Sequence, residues 1–185
     1  IILLSLLTIV SFFWTPYSPT ALNVAPLYAP PSSAHLLGGD DLGHDILSEL
    51  MVGAQTSLGV GLLSAVIVMA IGVIVGMTAG YFRGWVDSLI SLIINIFYSI
   101  PALLVALMLY ILLGPGFINI IIAISATVWM DMARLVRGQT LAIREREYIE
   151  AARASGARTW KILWRHIFPN ALGPIIVQAT FAIPL

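Results

Sequence analysis

Two stretches of the chain are apolar over a length that a bilayer dictates. Leu58 to Gly80 is 23 residues without a charge, about 34 Å as a helix, enough to cross a hydrocarbon core of about 30 Å with some tilt. Ser88 to Leu113 is a second such run with Pro101 inside it, where the missing N–H predicts a kink. The polar residues 81–87 form a short turn between them. Gly114-Pro115-Gly116 predicts a tight turn, after which Phe117 to Met130, and onward to Val136, forms another helix with an amphipathic end. Ile1 to Trp14 is apolar from its first residue, without a basic region or a small-residue cleavage site, and reads as the end of a first transmembrane helix rather than a signal peptide. Residues 171–185 begin a further apolar run. The pattern predicts an all-α, polytopic membrane helical bundle, here a fragment truncated at both ends.

Residues 15–57 break that pattern. Pro16, Pro19, Pro26, Pro30 and Pro31 exclude a continuous helix over the first half, and Gly38-Gly39-Asp40-Asp41-Leu42-Gly43 reads as a turn. From Asp45 to Ser57, apolar Ile46, Leu47, Leu50, Met51 and Ala54 recur at helical spacing opposite Asp45 and Glu49. This spacing predicts a short amphipathic helix at the membrane surface, separate from the span that starts at Leu58.

Composition agrees: 59% of the 185 residues are hydrophobic and 10% charged, with mean hydropathy +0.98, outside the range of soluble domains. With no cysteine, disulfides, thiolate metal sites and cysteine nucleophiles are excluded. The net charge of zero hides an asymmetry. Residues 15–57 carry no basic residue, Arg83 lies in the 81–87 turn, and Arg134, Arg137, Arg144, Arg146, Arg153, Arg158, Lys161 and Arg165 surround one charged island. Alternating spans put Arg83 and the island on one face, which the positive-inside rule makes cytoplasmic, with 15–57 outside.

The island, residues 139–170, predicts helix, turn, helix: helix formers over Arg144 to Ala154, Gly156 at a C-terminal position, and a second short helix over Thr159 to Phe168 that Pro169 ends or redirects. Ala151 and Ala152 leave one side thin for close approach, while Tyr148, Ile149, Trp160 and Trp164 offer apolar anchors for a partner's pockets. A basic amphipathic loop held near anionic headgroups fits the same residues.

Glu150-Ala151-Ala152, Gly156 four residues later, and Phe168-Pro169 resemble the EAA loop of ABC importer permeases. Arg165-His166-Ile167-Phe168-Pro169-Asn170 resembles the version in the dipeptide, oligopeptide and nickel group. Phe168 stands where that loop usually has Leu, and His166 where the general pattern has Ile. His35 to Ser48, Gly80 to Asp87 and Ala133 to Gly138 are similar to other segments of the group, so the likeness covers most of residues 35–178. The group usually has Arg at the position of His44. The resemblance implies a permease subunit without catalysis or bound cofactor. It implies as partners a homologous second permease, two cytoplasmic ATPase subunits that use ATP, an external solute-binding protein and the lipid membrane, with no nucleic acid. It also implies docking of an ATPase on the loop through Tyr148, Glu150, Ala151, Ala152, Gly156, Trp160, Phe168 and Pro169.

Other residues carry weaker signals. His35, Asp40, Asp41, His44 and Asp45 are types that ligate divalent metals, but turn chemistry and helix capping explain their spacing and no metal is expected. Gly72, Gly76 and Gly80 share a helix face, which favours close helix packing over a pore lining. Asn95, Tyr98 and Ser99 beside Pro101 are candidates for a polar translocation path, or equally for interhelical hydrogen bonds. With no charge in either long apolar run, this half of the path is expected to bind substrate weakly. Asp131 is expected to pair with Arg134 or Arg137. No nucleotide-binding loop, zincin motif or nucleophile elbow is present.

Overall fold

The structure is a computed structural model and describes residues 2–182. Its helices are α1 (Ile2–Ser11), α2 (Ile46–Phe82), α3 (Gly84–Tyr98), α4 (Ala102–Leu113), α5 (Phe117–Arg144), α6 (Glu147–Ala154), α7 (Thr159–Ile162), a π-helical turn (Leu163–Ile167) and α8 (Phe168–Ala182). Two units form, Ile1–Gly59 and Val60–Leu185.

In the first unit, the loop ahead of α2 is organised by carboxylates acting as turn and cap acceptors. Asp45, 1% exposed, accepts the Ser48 N–H at 2.9 Å and the Ser48 hydroxyl at 2.8 Å, and so caps α2. Its other oxygen lies 3.0 Å from His35 Nδ1, and the His35 ring packs on Tyr17 at 4.8 Å. Burial opposes the Asp45 charge, but the Ser48 and His35 hydrogen bonds prevail and hold its pKa below the usual value. Asp40 accepts the Leu42 and His44 N–H groups at 3.0 and 2.7 Å, an Asx-type turn, and its second oxygen lies 2.7 Å from His44 Nδ1. Asp40, His44 and Glu49 bring one ligand atom each within 4.8 Å of one another. Both Asp40 oxygens also serve the turn.

This turn predicts a pH dependence. The hydrogen bond to Asp40 raises the His44 pKa above its ordinary value and lowers that of Asp40, with Glu49 and Asp41 adding to the field at His44. A raised histidine stabilises the fold below its unfolded pKa, and that contribution fades as pH rises through the folded value. A lowered aspartate stabilises above its unfolded pKa and is lost as pH falls through the folded one. Amide protection at Leu42 and His44, measured by hydrogen exchange and corrected for intrinsic rates, is therefore expected to be higher at about pH 5.5 than at about pH 8.5. Equal protection in both buffers, or an unchanged difference in His44→Gln, would contradict this account.

Several boundaries differ from the sequence pattern. The separate amphipathic helix over 45–57 does not exist as such: α2 is one helix of 37 residues, because no proline or chain reversal interrupts residues 57–59 and interior glycines are tolerated at modest expense. The 81–87 turn shrinks to Arg83, which takes φ 56°, followed by Gly84 at φ 57°. Two successive left-handed residues reverse the chain in the least possible length. The kink expected at Pro101 is a full break, with α3 and α4 meeting at 83°. The last amides of α3 fold back, Ser99 N–H on Asn95 and Ile96 and Ile100 N–H on Phe97, and Pro101 restarts the chain at ψ 121°. The helix expected to end near Val136 continues to Arg144.

Pro169 does not end its helix. Its ring, which has no N–H to give to Arg165, sits just after the wider π turn, where the Phe168 N–H reaches back to the Leu163 carbonyl. The extra residue in that turn makes room for the ring, and α8 continues. By length and composition, α2 and α5 can each cross a membrane, and the bent pair α3 and α4 makes a third span if counted together. The expected span over 171–185 corresponds to α8, of which residues 183–185 lie outside the described residues.

In the second unit, α2 and α5 pack through the predicted glycine face. A Cβ on Gly72 would lie 2.5 Å from the Met132 Cβ, one on Gly76 2.5 Å from the Ala133 carbonyl oxygen, and one on Gly80 2.7 Å from the Thr140 Cβ. Around this contact Val68, Val73, Met77, Tyr81, Met132, Val136 and Ile143 form one buried cluster with Ile149, Ile162, Leu163, Ile167, Ala171 and Ile175. The charged island is thus tied into the core of the spanning helices.

Candidate coupling surface and polar path

The island owes its shape to a Schellman cap. Gly156 N–H donates to Arg153 C=O and Ala157 N–H to Ala152 C=O, each at 3.0 Å, and Gly156 takes φ +79°, which only glycine adopts without penalty. The cap turns the chain from α6 into α7, and Ile149, Ile162, Leu163 and Ile167 bury the inner face of both. The outer face carries Tyr148 (45% exposed) and Trp160 (70% exposed), with Glu150, Ala151, Gly156 and Pro169 exposed and Ala152 and Phe168 half-buried.

Two of the expected anchors point elsewhere. Ile149 is fully buried in the core. Trp164 is half-buried and packs between Trp160 and Phe168, with ring centroids 5.2 and 5.1 Å apart and the rings tilted by 56° and 55°. Ile149 has a plain cause: the eight-residue α6 must bury one side, and its spacing does not say which side the core will take. Gly156, Ala157, Arg158, Trp160 and Lys161 line an open hollow beside the ladder of rings.

A basic latch holds the island to the end of α2 and the turn that follows it. The Arg144 guanidinium donates to the Tyr81 carbonyl at 2.5 Å, Arg144 and Arg153 lie 5.5 and 5.7 Å from the Tyr81 ring centroid, and Arg83 pairs with Glu145. The expectation that Arg83 and the island share one face holds.

The candidate path residues gather at the break between α3 and α4. Asp131 does not pair with Arg134 or Arg137; it accepts the Tyr98 hydroxyl. Arg137 instead grips Asp87, with Nη2 to Oδ2 at 2.6 Å. Arg134 reaches Asn95 Oδ1 at 3.4 Å and lies 4.3 Å from the Tyr98 ring centroid. Ser99 donates to the Asn95 carbonyl at 2.9 Å and so helps close α3. The two long apolar runs are charge-free, as read, yet α5 delivers a carboxylate and a guanidinium to the very residues they contribute. The sequence offered Asp131 and Arg134 only as an ion pair; the meeting of these two opposite charges, three apart on α5, with the candidate path residues is what the structure adds.

Residues 72–185 match the model of a family described as "Binding-protein-dependent transport system inner membrane component". The chain is 40% identical over 184 residues to a dipeptide transport system permease protein of Bacillus subtilis (strain 168), covering 100% of this chain and 58% of that protein. It is 39% identical over 184 residues to an oligopeptide transport system permease protein of the same organism, covering 100% of this chain and 60% of the relative. A nickel transport system permease protein of Escherichia coli (strain K12) is 33% identical over 183 residues, 99% of this chain and 66% of that protein. The chain thus spans about 60% of the length of the first two relatives.

Proposed function

The chain belongs to the binding-protein-dependent transport system inner membrane component family, and from that premise we propose that it acts as the permease subunit of an ATP-driven importer in a bacterial or archaeal cytoplasmic membrane. It contributes half of a translocation pathway completed by a homologous second permease. Two ATPase subunits bind ATP on the cytoplasmic side and an external solute-binding protein delivers the substrate. The substrate class is peptides, a reading supported by the printed names of the two relatives near 40% identity. Nickel is the alternative, supported by the relative at 33%.

One observation carries the coupling role. The outer face of α6 and α7 is open while its inner face is buried in the same cluster as α2 and α5. A push on Tyr148, Glu150, Ala151, Ala152, Gly156, Trp160, Phe168 and Pro169 is therefore transmitted to the spanning helices rather than absorbed by a loose loop. Asn95, Tyr98 and Ser99 line the path at the α3–α4 break.

Co-purification of tagged ATPase subunits with the permease tests this. Trp160→Ala removes an anchor that is 70% exposed and outside the buried cluster, with Trp164 as its ring neighbour, and Glu150→Lys reverses a surface charge. Each is expected to lower ATPase retention about tenfold or more, as for loss of an interface hot spot. Wild-type retention by both variants would refute the docking surface.

A further inference from the structure

We propose that Asp131 and Arg134, carried by α5 to the break between α3 and α4, are a recognition pair for a zwitterionic solute bearing one ammonium and one carboxylate. The inference rests on the permease reading and names the substrate chemistry of its path.

The depth of the pair is the first support. Tyr98 is 14 residues past Gly84 on α3, and Asp131 is 13 residues before Arg144 on α5. At 1.5 Å per residue Tyr98 lies about 21 Å from the helix end that Arg83 marks and Asp131 about 12 Å from the start of the island at residue 139, both inside a core of about 30 Å. Ionised groups at such depth do not face lipid; they face a water-filled cavity or another protein.

The second support is that the two charges are held apart. Arg137 and Arg83 have carboxylate partners, Asp87 and Glu145, but Asp131 and Arg134 are not an ion pair among the described residues. Tyr98 stands between them, its hydroxyl given to Asp131 and its ring face offered to Arg134. Asn95 engages the guanidinium through one long contact of 3.4 Å, which leaves most of its five donors available for a carboxylate. Asp131, Tyr98, Arg134 and Asn95 are all exposed, although Ile94, Met130 and Ala133 beside them are buried. The result is an acceptor and a donor fork, kept from neutralising each other by an aromatic spacer, at the point where 83° between helix axes opens the backbone. An ammonium fits the carboxylate and a carboxylate fits the fork.

The test uses the whole transporter, reconstituted with its ATPase subunits and solute-binding protein, and three probes: dialanine, N-acetyl-dialanine and dialanine amide. Half-saturating concentrations are compared as ratios between probes, which cancels the amount of active transporter, and each variant's ratio is then divided by the wild-type ratio, which cancels the selectivity of the unchanged binding protein. Wild type is expected to favour dialanine over both blocked forms. Asp131→Asn, which keeps an acceptor for Tyr98, is expected to lose about tenfold of the preference over the acetylated probe and none over the amide; Arg134→Gln is expected to do the reverse, each by loss of one charge-assisted contact. Proportional weakening of all three probes in both variants would assign the pair a structural or subunit-contact role and overturn the proposal. So would saturable wild-type transport without discrimination, or none of dialanine, in a complex that retains its ATPase subunits. Failure of those subunits to assemble on the wild-type permease would instead remove the permease reading, and the recognition pair with it.

Discussion

Leucine at Gly76 is expected to dismantle the packing of α2 on α5. A side chain there starts 2.5 Å from the Ala133 carbonyl oxygen, 2.8 Å from the Val136 Cβ and 3.0 Å from the Arg137 nitrogen. Two of these three atoms belong to the backbone of a helix and cannot swing aside as a side-chain end can. Relief requires α2 and α5 to separate, which opens the cluster of Val73, Met77, Met132 and Val136 on which the island is also built. Overpacking of this kind costs about 3 kcal/mol at the upper end of its usual range, a drop of roughly a hundredfold in the folded-to-unfolded ratio. Gly138 supplies the contrast, since a Cβ on it meets nothing within 4 Å. Gly138→Ala is expected to stabilise α5 by up to about 1 kcal/mol through helix propensity. Unfolding midpoints in mixed micelles of increasing denaturing detergent report both, and a Gly76→Leu midpoint equal to wild type would mean that the α2–α5 contact is not what the glycines are for.

The glycine face was legible because position alone determines it: residues four apart on a helix share a side whatever surrounds them. The same holds for the α6 turn, where Gly156 after a run of helix formers announces a left-handed cap, and for the common face of Arg83 and the island, which follows from counting spans. What stayed hidden depends on distances that only the folded chain sets. Asp131 meets Tyr98, 33 residues away, because α3 stops at Ser99, and the sequence shows the proline there but not an angle of 83°. Ile149 reads as a surface anchor until the spanning helices are in place to cover it. The first turns of α2 look like a separate amphipathic helix because periodicity changes at Ser57, yet a change of solvent along a helix is not a break in its hydrogen bonds. Pro169 misleads for a related reason, since a helix that widens locally can carry a proline that a regular one would not.

If the proposed coupling role holds, aspartate at Gly156 is expected to leave the chain inserted in the membrane while reducing transport by about a hundredfold, the effect of losing a contact worth about 2.7 kcal/mol. The fold around the site tolerates the change. No atom lies within 4 Å of the added Cβ, and aspartate is among the few L residues that enter the left-handed region readily. The Schellman bonds to Ala152 and Arg153 involve only backbone, so they persist. What changes is the outer face, where a carboxylate now projects from the rim of the hollow lined by Ala157, Arg158, Trp160 and Lys161. There it attracts the neighbouring cations and fills the space that a docking partner needs. Gly156→Asn separates this cause from backbone strain, because asparagine matches aspartate in size and in left-handed tolerance but carries no charge. If strain governs, the two variants lose transport equally; if the surface governs, asparagine retains several-fold more uptake per ATP hydrolysed. Uptake and ATP hydrolysis measured together in proteoliposomes decide between them, and wild-type uptake by Gly156→Asp would rule out a coupling contact at the α6–α7 turn.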